Sequence, residues 1–162
     1  MGSSLATAEV RYSSWAEAAS KVSFPLREPR WLPEGYWLSA LQSFVPDIDG
    51  GAPTPNAVIA TYSGPGRDYI VFDQFWVERL EEFDVASTLP RGTRDSGHGV
   101  IQVGSHAAFW RAGLPTREHL DGRAVWDETI SILTWVDGQM GYRVQGKNAT
   151  LSTLTRVAIE AA

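Results

Sequence analysis

The sequence predicts an α+β fold in which a single antiparallel β-sheet carries an N-terminal and a C-terminal helix packed on one face. Helical apolar spacing is clearest near the two ends of the chain. The region between them holds short apolar runs separated by turns rich in glycine and proline. Strands that follow one another without crossover helices form antiparallel rather than parallel sheets.

The length of 162 residues fits one domain, since domains commonly hold about 100–200 residues. We predict a single α+β domain over residues 14–162. Residues 1–13 are small and polar, which predicts a disordered N-terminus or an expression-tag remnant. The hydrophobic share of 43% and the seven tryptophans are enough for a substantial core.

The first helix begins at a capping box, because Ser14 and Glu17 have the S-x-x-E spacing. It ends by Phe24, since Pro25 disfavours helical geometry at the residue before it. Its apolar stripe consists of Trp15, Ala18, Ala19 and Val22.

The segment FPLREPRWLPEGYWL, residues 24–38, joins this helix to the first predicted strand. Its three prolines restrict the backbone, and Glu34-Gly35 predicts a turn. The strand then runs from Tyr36 to about Val45. Strict alternation predicts one face with Leu38, Ala40, Gln42 and Phe44, and the other with Trp37, Ser39, Leu41 and Ser43.

Two strands follow at Ala57–Tyr62 and Tyr69–Trp76, and the intervening SGPGRD predicts a hairpin loop. The run VERLEEFDV, residues 77–85, is compatible with a continued strand or a short helix. Further short strands are predicted at Val100–Val103 and Ala107–Trp110, on either side of a Gly-Ser dipeptide.

The last third of the chain predicts a loop, a hairpin and a helix. Leu114–Val125 is polar enough for a loop. Strands at Ile130–Val136 and Met140–Val144 flank Asp137-Gly138, a dipeptide typical of type I′ turns. Ser152 is the predicted cap of the C-terminal helix. The apolar face of that helix consists of Leu154, Val157, Ala158 and Ala161.

Composition argues against several classes of function. The net charge is -5 and no basic cluster occurs, so we expect no nucleic-acid partner. The chain has no cysteine, and its three histidines lack the spacing of a zinc site. We therefore expect no metal, no cofactor and no catalytic residues. No apolar run approaches the ~18 residues that span a membrane, so no transmembrane segment is expected in this chain.

Two side-chain sets remain as alternatives. His98 and His106 are candidates for a hydrolase, but Ser105-His106 lacks the G-x-S-x-G pattern of a nucleophile elbow. Tryptophans on a sheet face with an arginine at the edge can line a ligand groove, although core packing is the favoured explanation for most tryptophans. The candidate ligand-binding residues are Trp76, Arg79, Trp110 and Arg111.

The chain resembles a bacterial family of unknown function found outside the membrane. Members occur at the C-terminal end of anti-sigma-factor-like membrane proteins and in lipoproteins related to outer-membrane lipoprotein-sorting proteins. FPLREPRWLPEGY looks like the FP…LPEGY signature that opens the family pattern. Other similar pieces are Val58–Tyr62, Tyr69–Phe75, Val103-Gly104 with Ala107-Ala108, Leu133-Thr134-Trp135 with Gly138 and Tyr142, and Leu151–Ala158. Residues 78–97 form an insertion relative to that pattern.

The resemblance implies an exported sensing, scaffolding or binding domain and supplies no catalytic residues. We therefore expect a non-enzymatic extracytoplasmic domain of a bacterial envelope protein that engages a protein or cell-envelope ligand. Membrane attachment would come from a segment absent from this chain; the alternative location is the cytoplasm. The alternative function is a small-molecule or lipid-binding module with a tryptophan-lined groove, and a hydrolase ranks below both.

Overall fold

In the described part of the chain, one antiparallel sheet of eight strands is accompanied by two helices. The computed structural model describes residues 7–46, 56–77, 97–117 and 124–161. In chain order the elements are β1 (Thr7–Arg11), α1 (Trp15–Lys21), β2 (Trp37–Pro46), β3 (Ala57–Ser63), β4 (Tyr69–Trp76), β5 (His98–Val103), β6 (His106–Arg117), β7 (Ala124–Asp137), β8 (Met140–Lys147) and α2 (Leu151–Glu160).

The strand order is β1-β2-β3-β4-β8-β7-β6-β5, and every neighbouring pair is antiparallel. The sheet thus consists of two four-stranded meanders, β1–β4 and β5–β8. Pairing between β4 and β8 joins them, so β1 and β5 are the edges. The predicted α+β class with a single antiparallel sheet is confirmed.

Strand β1 lies within residues 1–13, the segment for which the sequence predicts a disordered N-terminus or a tag remnant; residues 1–6 lie outside the described ranges. Thr7–Arg11 pairs with β2 in a continuous antiparallel register. Tyr12 is buried, and its hydroxyl shares a 2.6 Å hydrogen bond with Ser43 Oγ. The sequence TAEVR has little apolar alternation. Its order comes instead from backbone hydrogen bonds to a distant strand.

Helix α1 forms where the sequence predicts it. Ser14 is the N-cap and accepts the backbone N–H of Glu17 at 3.1 Å. The Glu17 carboxylate accepts from the Ser13 backbone N–H and hydroxyl, each at 2.6 Å, rather than from Ser14. The helix ends at Lys21, ahead of Pro25, as predicted.

The predicted faces of β2 hold from Ala40 to Ser43 but are wrong for Trp37 and Leu38, because the strand contains a bulge. Leu38 pairs with Tyr62 and Leu41 with Ala60, and the register shifts between Leu38 and Ala40. The additional residue changes the alternation, so Leu38 and Leu41 share a face. A bulge cannot be read from local alternation, since the partner strand sets it.

The two hairpins of the second meander that have short loops, β5–β6 and β7–β8, have the same turn type. Val103 pairs with His106 and Asp137 with Met140, so each loop has two residues. In each loop only the first residue, Gly104 or Gly138, has a positive φ, of 59° and 60°. This geometry is type II′. The hairpin at Asp137 is confirmed, but the predicted type I′ turn is wrong.

The predicted loop at 114–125 begins and ends in strand. β6 continues to Arg117 and β7 starts at Ala124, with a register shift between Ala112 and Leu114. A second, smaller cluster of buried residues explains this extension; it consists of Leu114, Ile130 and Ile132. The pairing of β6 with β7 brings Leu114 next to the strand that carries the two isoleucines. Residues 118–123 lie outside the described ranges, as do residues 78–85 of the ambiguous segment.

The main core lies on alternate residues of the central strands. Helix α2 begins after an N-cap at Thr150 rather than at the predicted Ser152. Its predicted apolar face is buried, and it contacts β5, β7 and β8, whereas α1 contacts β2. The largest fully buried core side chains are Trp135, Tyr142, Phe72, Ile70, Leu133 and Leu154.

Candidate functional site

A buried glutamine fixes the proline-rich segment that follows α1. Gln74 on β4 is completely buried. Its Oε1 accepts the backbone N–H of Arg27 at 2.7 Å, and its Nε2 donates to the Arg27 carbonyl at 2.7 Å. The amide side chain thus satisfies both main-chain groups of Arg27, as a neighbouring strand would. Arg27 is therefore held at one end of the sheet.

Further along the chain, the proline-rich segment also contacts α2. The Arg30 backbone N–H donates to the Glu160 carbonyl at 3.2 Å. The Arg156 guanidinium lies 4.0 Å from the centre of the Trp31 ring, within cation–π range. Beyond these contacts, Gly35 has a φ of 84°, as the predicted Glu34-Gly35 turn requires.

Arg27, Asp137 and His106 form a charged cluster at this end of the sheet. Arg27 Nη2 donates to Asp137 Oδ2 at 2.5 Å, and its guanidinium lies 4.7 Å from the centre of the Tyr142 ring. His106 Nε2 lies 3.2 Å from Asp137 Oδ1. All three side chains of this charged cluster are about one-third exposed.

The hydrogen bond from Arg27 holds the pKa of Asp137 below its ordinary value, and the charge of Arg27 and the neighbouring His106 side chain add to that effect. Asp137 is therefore a carboxylate at neutral pH. The two hairpin turns bring it to His106, because each residue borders a turn and β6 pairs with β7.

A small cavity of about 180 Å³ lies behind the charged cluster. Its wall includes the buried indole of Trp135 and the last turns of α2 at Ala158 and Ile159. The remaining lining residues are Arg27, Val103, Gly104, Ser105, His106 and Asp137. The cavity therefore combines an apolar interior with a charged mouth, the usual composition of a small-ligand site.

A groove of about 620 Å³ runs between α2 and β5. We call it the β5–α2 groove; it is lined by Ile101, Gln102, Leu151, Ser152, Thr155, Arg156, Ile159 and Glu160. Ile159 also lines the small cavity, so the groove continues towards the charged cluster. Its apolar part is accessible, since the Ile159 side chain is 44% exposed.

The edge strand β5 presents main-chain groups beside this groove. The two-residue turn makes Val103 and His106 a hydrogen-bonded pair, and Ala112 donates to the Gly97 carbonyl. Main-chain groups alternate in direction along an antiparallel strand, so those of Val100 and Gln102 point away from β6. No strand in the described part of the chain pairs with them. The Val100 side chain is 58% exposed.

Three of the four predicted ligand-binding residues lie in the described ranges, at separate places on the sheet. Trp76 at the end of β4 is 39% exposed. Trp110 on β6 packs against the main core, and a Cβ on Gly99 would lie 3.0 Å from its Nε1. Arg111 follows Trp110 in the strand and so faces the opposite side of the sheet. Arg79 lies outside the described residues.

Trp76 and Trp110 are separated by three strand spacings, about 14 Å, and by several residues along the strands.

The two hydrolase candidates, His98 and His106, also lie apart. His98 pairs with Arg111, whereas His106 pairs with Val103 at the other end of the β5–β6 hairpin. Five rises along β6 separate these positions, about 17 Å.

Sequence reasoning missed Arg27, Gln74 and Asp137 as parts of one site. Arg27 and Asp137 are 110 residues apart, and no local spacing connects them. The density of prolines around Arg27 is the one available signal, because it indicates a fixed backbone.

The described residues offer neither a metal-binding group nor a membrane-spanning helix. Within these ranges, no set of three or more metal-ligating side chains is grouped to hold an ion. Neither described helix is long and apolar enough to cross a membrane. The arrangement of the charged cluster and groove therefore offers charge recognition, apolar contact and strand pairing.

Comparison with known proteins gives no relative to this fold. No protein-family model, no curated protein and no solved structure matches the chain. The resemblance to the family with the FP…LPEGY signature stays a prediction.

Proposed function

We propose that this chain is a non-enzymatic, extracytoplasmic binding domain of a bacterial envelope protein, and that it takes up an extended segment of a partner protein along β5. The β5–α2 groove carries the proposal. An edge strand with outward main-chain groups lies beside an accessible apolar groove, and peptides that add a strand to a sheet need both features.

Backbone bonding and side-chain contacts have separate roles in this proposal. Val100 and Gln102 offer the main-chain groups to which an added strand bonds. Alternate side chains of that strand point to one face, where Ile101 and Ile159 provide apolar contact. The charged cluster at the end of the groove favours a polar or charged residue at that end of the bound segment.

We also infer that both helices cover the same face of the sheet. Ala18 of α1 and Leu154 of α2 belong to one continuous cluster of buried residues, together with alternate residues of the central strands. This arrangement would support α2 beside β5 and keep the groove in a fixed shape.

A backbone-blocking variant tests the strand-addition proposal. Val100→Pro removes an outward N–H at an edge, where proline is tolerated, while Val100→Thr keeps that N–H. The probe is a panel of biotinylated heptapeptides that alternate valine with polar residues, measured by biolayer interferometry. We expect binding to the wild type and the threonine variant, and loss of binding in the proline variant.

Two further measurements separate this result from misfolding or non-specific adhesion. Circular dichroism checks that Val100→Pro is folded, and Ile159→Asp places a charge in the groove without changing the strand. The same peptides with N-methylated backbones should not bind. Equal binding by N-methylated peptides, or failure of the whole panel to bind, would refute the proposal.

The extracytoplasmic location is tested separately by fractionating the native cells with an epitope tag on the natural gene. We expect the tagged protein in the envelope fraction. Recovery with cytosolic markers would support the alternative location and remove the envelope part of the proposal.

A small-molecule-binding module is the second candidate, and the small cavity favours it. Its volume of about 180 Å³ equals that of about six water molecules. A small amphipathic ligand in this cavity would touch Trp135 and the charged cluster. It should change tryptophan fluorescence and raise the melting temperature. His106→Ala should weaken that response, whereas Val100→Pro should not.

A further inference from the structure

The most exposed large apolar side chain among the described residues is Trp37, at 61%. Trp37 pairs with Ser63, Ser63 with Tyr69, and Tyr69 with Lys147. Residues directly opposite on neighbouring strands share a face. These four residues therefore form one row across β2, β3, β4 and β8, which we call the aromatic row.

The aromatic row lies on the face away from the main core. In β3 the buried core residues are Val58, Ala60 and Tyr62, so Ser63 faces the other side. In β4 the core residue Ile70 follows Tyr69, with the same consequence. The row is therefore separate from the β5–α2 groove.

The row has a gap at Ser63, between its two aromatic residues, which we call the slot. Trp37 and Tyr69 are two strand spacings apart, about 10 Å between their Cα atoms. Ser63 lies between them and has a small, hydroxyl-bearing side chain, so no large side chain of the row separates Trp37 from Tyr69. A ring that contacts an aromatic wall on each side needs about 7–8 Å between the walls, because carbon atoms make their best contact at 3.5–4.0 Å.

Polar groups border the slot on one side and at its end. Gln145 Nε2 lies 3.5 Å from the Tyr69 hydroxyl. Thr61 precedes Ser63 by two residues and shares its face. Asn148 Nδ2 donates to Asp68 Oδ1 at 2.7 Å and fixes the adjoining loop against the end of β8. These contacts fix Tyr69 and the loop at Asp68 beside the slot.

We infer that the aromatic row binds a saccharide. A pyranose ring has an apolar face, which suits an indole or phenol ring, and a hydroxyl-bearing edge, which suits Ser63, Thr61 and Gln145. An acyl chain would cover the same aromatic surface but leave these polar groups without partners. This chemistry fits a glycan of the cell envelope and goes beyond the proposed binding of a protein segment at β5.

The test uses defined sugars and matched tryptophan variants. The probes are chitotetraose, cellotetraose and maltotetraose, titrated into the wild type by isothermal calorimetry. Trp37→Ala removes the exposed wall, and its high exposure favours an unchanged fold. Trp76→Ala is the control, because Trp76 is also partly exposed but lies outside the row. Trp37→Phe keeps an aromatic ring at the same position.

We expect at least one tetrasaccharide to bind, with affinity lowered about tenfold by Trp37→Ala and largely retained in Trp37→Phe. Trp76→Ala and Val100→Pro should leave that affinity unchanged, so failure of the saccharide site and of the peptide site can be told apart. No binding by any of the three sugars would overturn the inference. Equal losses in Trp37→Ala and Trp76→Ala would also overturn it.

Discussion

The Gln74 contact allows a sharp test of how the proline-rich segment is held. We consider Gln74→Met, which keeps a similar volume and so adds little cavity cost. Gln74 is completely buried and makes two 2.7 Å hydrogen bonds to the main chain of Arg27. The methionine would leave both the N–H and the C=O of Arg27 without that partner.

The expected cost follows from these two bonds. Leaving a buried polar group unsatisfied costs about 1–3 kcal/mol. Arg27 is only half-buried, so water recovers part of this cost, and we expect a total of roughly 2–4 kcal/mol. For a chain of this size each kcal/mol lowers the melting temperature by about 2–4 °C. The melting temperature should therefore fall by roughly 5–15 °C.

The control is Gln145→Met on the adjacent strand. Gln145 lies on the opposite face, is half-buried, and its amide nitrogen makes a 3.5 Å contact with the Tyr69 hydroxyl. This variant should change stability by less than about 1 kcal/mol. The measurements are thermal unfolding by circular dichroism and hydrogen exchange at the Arg27 amide. Equal melting temperatures in the two variants, or an Arg27 amide that keeps full protection in Gln74→Met, would refute the reasoning.

Three other changes have defined outcomes. Thr134→Val should raise the free energy of unfolding in urea by about 1–2 kcal/mol, because the Thr134 hydroxyl is fully buried with no hydrogen-bond partner; a lower value would mean that the hydroxyl is satisfied in solution. Gly141→Ala should destabilise the fold by about 1–3 kcal/mol in the same assay, since its Cβ would lie 2.1 Å from the Phe75 ring; unchanged stability would contradict that packing. Burial raises the pKa of Asp73 above its ordinary 3.8 despite the opposing effect of Arg143, so the folded state binds this proton more tightly than the unfolded state. Stability from this group therefore falls as the pH rises from about 3.8 through the raised pKa, and Asp73→Asn should remove that fall; parallel stability curves for the two proteins would contradict it.

Local patterns identified much of the secondary structure. The strands at 57–63 and 69–76 were predictable because each is a largely apolar run and the loop between them is rich in glycine and proline. Helix α1 was predictable from Ser14 and Pro25, which set its two ends. Strand β1 was not, because its order depends on β2 rather than on its own pattern.

The candidate site was much less predictable than the fold. The prolines around Arg27 indicated a fixed segment but gave no information about Gln74, which bonds to it from a strand 47 residues away. His106 was considered only as a hydrolase residue, since its contact with Asp137 depends on the pairing of β6 with β7. Spacing along a chain cannot report such contacts.

The sequence by itself determined the fold class, the ends of α1 and the positions of the hairpins, because periodicity, capping and turn chemistry act over a few residues. Only the tertiary structure decided the joining of two meanders through β4 and β8, the bulge in β2 and the extension of β6 and β7. These features depend on which distant strands pair. The same pairing brings Arg27 and Asp137 together and leaves β5 as an edge beside α2. The proposed protein-binding site is therefore a product of long-range strand order, which no short stretch of this sequence encodes.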